Sequence, residues 1–113
     1  MVTFVPGFIS MESRATLTDV VAHIEHVVDV AGINHVGIGS DFDGIDSTPL
    51  GLEDVSTFPS LFVELSKRGW TEQELMKLAG QNVLRAWSEA EVRASQIQRD
   101  EEPSIATLEK PEN

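Results

Sequence analysis

Residues 35–46 read His-Val-Gly-Ile-Gly-Ser-Asp-Phe-Asp-Gly-Ile-Asp and limit the fold more than any other stretch. Val36 to Gly39 are small or β-branched and lie between a polar lead-in and a group of acids, which predicts a buried strand running into a loop. The carboxylates then stand at the C-terminal end of that strand. In parallel α/β architectures ligands bind at this end, because the strand-to-helix loops converge there. Gly37 and Gly39 leave room for a close approach by another backbone or a ligand. Asp41 is the leading candidate for chemistry.

Strand, helix and strand signals follow one another from the first residue. Met1 to Val5 is β-branched and aromatic, and Pro6-Gly7 ends it with turn chemistry. Thr16 with Asp19 forms a capping-box pattern for a helix through Ala31, with Gly32 as its stop. Leu17, Val20, Val21, Ile24, Val27, Val28 and Ala31 recur at helical spacing and form one apolar stripe. With the strand at Val36–Gly39 this makes a βαβ crossover of about forty residues, and so a parallel pair. A linker carrying Ser47, Thr48, Pro49 and Gly51 leads to a helix from Pro59 to Lys67, with Leu61, Phe62 and Leu65 inward and Gly69 at its end. Thr71 and Glu74 form a second capping box; Gly80 breaks that helix, Asn82 caps a final one, and Val83, Leu84 and Trp87 anchor it. From Gln98 onward acids and prolines predict a disordered acidic tail.

Composition excludes several function classes. The 113 residues suffice for one domain, and 41% hydrophobic with 24% charged residues is a globular composition. Nineteen acids against eight bases give a formal charge of −11, which repels phosphate backbones and anionic head groups, so no nucleic-acid partner is expected. There is no cysteine, hence no thiolate nucleophile and no Cys-ligated zinc. The apolar start lacks the plan of a signal peptide, and no apolar run approaches the roughly 18 residues of a membrane span. Localisation stays open.

Asp41-Phe42-Asp43-Gly44 admits more than one chemistry. A calcium loop fails on spacing, since Gly44 stands fourth and Leu52 twelfth, where an EF-hand needs glycine sixth and glutamate twelfth. A strand followed by Asp-x-Asp-Gly is similar to the first motif of haloacid-dehalogenase-type phosphatases, with Asp41 as nucleophile and Asp43 as acid. Ile45 in place of the usual Thr and the two strand glycines depart from that pattern.

A longer match spans most of the chain. Met-Val-Thr-Phe-Val-Pro-Gly-Phe-Ile-Ser at 1–10, His-Val-Gly-Ile-Gly-Ser-Asp-Phe-Asp-Gly at 35–44, Gly-Leu-Glu-Asp-Val at 51–55, Arg-Gly-Trp-Thr-Glu at 68–72 and Asn-Val-Leu-Arg at 82–85 occur in order. Together they resemble the C-terminal part of the membrane (renal) dipeptidase family. The resemblance implies an α/β fold: the last two βα units of an amidohydrolase-type (β/α)8 barrel, incomplete, and the terminal helices that follow them make up a C-terminal barrel segment over residues 1–97, and a disordered acidic tail occupies 98–113. It implies zinc-dependent hydrolysis of dipeptides at a two-zinc site, with Asp41 as the catalytic and substrate-binding aspartate at the end of the last barrel strand.

The family's zinc ligands, a His-x-Asp pair, a bridging Glu and two further His, match nothing in this sequence, so no metal ligand is assigned. A whole barrel takes about 250 residues. The chain is therefore expected to be part of a dipeptidase, inactive alone, and a homodimer of the complete parent would be unsurprising. A non-catalytic interaction fragment that completes or inhibits a partner barrel is the alternative from a different class. His23 and His26 fall on or near the polar side of their helix and read as surface residues, and His35 lies at the end of the strand away from chemistry. Asp43 and Asp46 are expected to brace the loop, and Trp70 and Trp87 to anchor the core.

Overall fold

A computed structural model describes residues 1–10 and 14–107. Among the described residues there are five α-helices: α1 (Pro6–Ile9), α2 (Leu17–Ala31), α3 (Phe58–Lys67), α4 (Glu72–Met76) and α5 (Asn82–Asp100). The helix starts obey their sequence signals. At α2 the Thr16 hydroxyl accepts from the Asp19 amide at 3.4 Å, and the Asp19 carboxylate accepts from the Thr16 amide at 2.8 Å. Thr71 and Glu74 repeat the arrangement at α4. Gly32 and Gly69 follow α2 and α3 at φ 84° and 95°, backbone that glycine adopts without steric cost.

The predicted strands are much shorter than expected. Among the described residues, β structure is confined to two isolated parallel bridges, Val2 with Ile38 and Thr16 with Leu50. The parallel direction agrees with the crossover reading; the extent does not. The Val2 amide donates to the Gly37 carbonyl at 2.7 Å and the Gly39 amide to the Val2 carbonyl at 2.9 Å. A regular ladder would next join Phe4 to Gly39, yet the Phe4 amide reaches Ser40 at 3.1 Å. That one-residue slip stops the ladder, and no third strand flanks the pair to extend it among the described residues. The described chain is mostly helical.

Its core lies between α2, α3 and the bridged segments. Phe4, Val20, Val21, Ile24, Leu52, Leu61 and Leu65 are fully buried. The expected stripe of α2 thus faces inward at its centre, with Leu17, Val27 and Val28 half-buried and Ala31 exposed. The linker contributes more than expected: Pro49 and Leu52 are buried, and Asp54 caps a short 3-10 turn, Val55–Thr57, by accepting from the Ser56 amide at 2.7 Å. Arg68 clasps α2 to α3 through Glu25 at 2.9 Å and Glu64 at 3.3 Å. Desolvation disfavours its charge, but the hydrogen bonds it donates to Glu64 and Glu25, with their negative charges, outweigh that and raise its pKa.

The C-terminal helices depart from expectation in two ways. Gly80 breaks the helical path as predicted, inside a wide turn over Lys77–Gln81, but Asn82 is no cap: its backbone is helical and its side chain is buried. Its Nδ2 donates to the carbonyls of Ile33 at 2.7 Å and Val36 at 2.8 Å. One turn along, Arg85 donates to the Asn34 carbonyl at 2.8 Å. The Asn-Val-Leu-Arg motif therefore latches α5 onto the turn that leads into the bridged segment. Val83, Leu84 and Trp87 do not anchor α5. They are 42%, 70% and 67% exposed, because the described chain offers nothing for that face to pack against. Of the two tryptophans only Trp70 packs on the core. α5 continues to Asp100, past the expected start of the tail, and residues 108–113 of that tail lie outside the described residues.

Candidate functional site

Because Val2 and Ile38 pair in parallel, the segments that follow them emerge at the same end. One becomes Val5, Pro6 and α1; the other becomes the Asp41 turn. Between them lies a groove of about 430 Å³ lined by Val5, Pro6, Phe8, Asp41, Ile45 and Asp46 together with Gly7, Gly44 and Ser47. Asp41 and Asp46 therefore lie beyond the C-terminal side of the Val2–Ile38 bridge.

Asp41 has φ 67°, and among the described residues it is the one non-glycine in the left-handed region. Aspartate tolerates this region better than most residues, but holding it there needs support from the surroundings. Two supports are visible. The Gly44 amide donates to the Asp41 carbonyl at 2.9 Å and closes a turn. Phe42, the next residue, stacks on Phe58 with ring centroids 5.8 Å apart, and meets Phe4 edge-to-face at 5.7 Å.

The other candidates are dispersed. Asp46 reaches the groove, whereas Asp43 is exposed and does not line it. Neither makes a side-chain hydrogen bond among the described residues, so the expected bracing of the loop is not seen. His26 and His35 are exposed and His23 is half-buried, on α2 and the turn after it, away from the groove. Among the described residues no group of three His, Cys, Asp or Glu could hold a metal ion. The donor set thus does not fit a metal centre built from these residues. No described helix is long and apolar enough to cross a membrane.

A mostly helical fold, with a groove beside one parallel bridge and a left-handed aspartate on its rim, defines the class only as part of a larger scaffold. The model of the membrane dipeptidase family, peptidase family M19, matches residues 1–101, and the chain belongs to that family. An uncharacterized dipeptidase of Schizosaccharomyces pombe is 53% identical over 93 residues, covering 80% of this chain and 23% of its own length. Among solved structures, the probable dipeptidase PvdM from Pseudomonas aeruginosa is similar at 39% identity and a TM-score of 0.67, over 77% of this chain and 22% of that one. A metallo peptidase from Rhodobacter sphaeroides, solved with a phosphinate mimic of the dipeptide L-Ala-D-Ala, is 32% identical with a TM-score of 0.64, over 71% and 24%. The chain spans about a quarter of the length of these relatives. Membership removes the ground for reading Asp41 and Asp43 as a phosphatase pair.

Proposed function

We propose that this chain supplies the last two βα units of a (β/α)8 zinc dipeptidase barrel, and that Asp41 is the carboxylate that contacts the dipeptide and exchanges its proton during hydrolysis. The match over residues 1–101, which includes the whole Asp41 turn, carries this reading. Its geometry supports it: the carboxylate is exposed at the groove, within reach of a ligand seated between α1 and the turn. The zinc ions that such hydrolysis uses would be held by residues beyond those here, and no step is assigned to them.

The rest of the fold has a surface to meet. A second groove of about 450 Å³, on the face of the bridged segments nearest α5, is lined mainly by apolar atoms of Met1, Val36, Val83, Ala86, Trp87 and Ala90. Its occupant is the remaining three-quarters of a dipeptidase fold, since the relatives carry about four times the length matched here. The same groove favours the second reading, a fragment that completes or inhibits a partner barrel without performing chemistry.

One reconstitution separates these readings. The 113-residue chain is mixed with the S. pombe dipeptidase lacking its matching segment, and dipeptide hydrolysis is followed with and without zinc. Zinc-dependent turnover in the mixture alone, abolished by Asp41→Asn, is expected. Turnover by the chain alone would overturn the incomplete-barrel reading, and turnover insensitive to Asp41→Asn would leave the non-catalytic reading standing.

A further inference from the structure

The Asp41 turn holds a glycine whose backbone does not need one. Gly44 does not have the left-handed φ that calls for glycine. Yet a Cβ at Gly44 would lie 2.5 Å from Asp41 Oδ1, 3.1 Å from its Cγ and 3.4 Å from its Oδ2. Those are the three nearest atoms, and all belong to one side chain. The carboxylate therefore rests in the space that a missing methyl group leaves. Phe42 acts on the other side of Asp41, through the backbone. Its ring is gripped by Phe4, which is fully buried, and by Phe58 at the start of α3. The turn is thereby fastened to the core one residue after the left-handed one.

We propose that Gly44 and Phe42 are positioning residues for the Asp41 carboxylate, Gly44 by leaving the space it occupies and Phe42 by fixing the left-handed backbone that delivers it there. This deepens the reading of Asp41 as the proton-handling group and rests on it. Gly44→Ala is the discriminating variant. Non-bonded atoms settle at about 3.5–4 Å, so Oδ1 must retreat by about 1 Å, and a side-chain end can do so without moving the backbone. The fold survives while the carboxylate is displaced.

The test has two parts. NMR on the full 113-residue chain reads the Asp41 Hα–Hβ couplings and the carboxyl carbon shift in wild type, Gly44→Ala, Phe42→Ala and Phe42→Leu. In Gly44→Ala the Asp41 signals should change while those of α2 and α3 stay in place. Phe42→Ala should alter the Asp41 amide–Hα coupling, and the apolar Phe42→Leu should largely restore it. In the reconstituted enzyme, Gly44→Ala should lower kcat about 100-fold with KM little changed, the scale of a displacement of about 1 Å at a reacting group. Unchanged Asp41 couplings in Gly44→Ala would overturn the inference, as would an unchanged kcat alongside displaced couplings. Failure of the underlying reading shows separately, as full activity of Asp41→Asn.

Discussion

Helices α2 and α5 begin from comparable sequence patterns and end in opposite environments. Each carries apolar residues at helical spacing. In α2 the stripe is met by α3 and the bridged segments, and Val20, Val21 and Ile24 are fully buried. In α5 Leu84 and Trp87 are 70% and 67% exposed, and the helix is held by Asn82 and Arg85. Periodicity tells a helix which face is apolar; it does not say whether a partner is present. The contrast separates the part of the described chain that packs on itself from the part whose apolar face stays exposed.

Five substitutions break or sharpen that contrast. Ile24→Ala, at the centre of the satisfied face, should cost about 2–5 kcal/mol by chemical denaturation, since the cavity lies where neighbours are packed on all sides. Asn82→Ala should cost about 1–3 kcal/mol, because the Val36 carbonyl loses its donor in a buried place, and hydrogen exchange at residues 33–36 should accelerate. A loss near zero would show that α5 is held by something other than its latch.

The two capping boxes come next. Thr16→Ala and Thr71→Ala should each cost about 1 kcal/mol in thermal unfolding. They also set an acid limb. Hydrogen bonds to Asp19, from the Thr16 side chain first and then its backbone, hold that carboxyl below its ordinary 3.8, and hydrogen bonds from the Thr71 backbone and then its side chain hold Glu74 below 4.5. Depressed folded values mean that this stabilisation is complete above the ordinary values and is lost as pH falls through the lower folded ones. Removing the threonine hydroxyls should flatten the stability profile below about pH 4.5, and an unchanged profile would show that the boxes do not form in solution.

The smallest effect belongs to the unsatisfied face. Trp87→Ala should change the stability of the chain alone by less than about 0.5 kcal/mol, as at other exposed sites. It should weaken binding to the complementing dipeptidase segment by about 2 kcal/mol or more, as a central interface aromatic does. Equal effects in both assays would erase the distinction between α2 and α5.

What could be read from the sequence was local. Both capping boxes, the glycine stops and the buried stripe of α2 depend on residues within a few positions of one another. Asn82 was misassigned because its type fits a cap equally well, and the carbonyls it serves lie 46 and 49 residues away. Leu52 and Pro49 were hidden in a linker whose composition reads as loop, although they close the core. The position of Asp41 just after the apolar segment was legible, but its left-handed backbone and its closeness to Gly44 appear only when the turn is built. The family was legible through the resemblance of several linked motifs, not through the spacing of any one of them.

The slip from Gly39 to Ser40 opposite Phe4 has a consequence for aim. Side chains along an extended segment point alternately to one face and the other, so by parity Asp41 would share the side of Gly37 and Gly39. At that side a Cβ on Gly39 would already lie 3.0 Å from Met1, and one on Gly37 would lie 3.7 Å from Val83. One extra residue between the pairing partners, followed by the reversed twist at Asp41, breaks that parity and opens the carboxylate toward Pro6 and Phe8 instead. The direction in which this protein presents its acid is set by an odd count in its backbone.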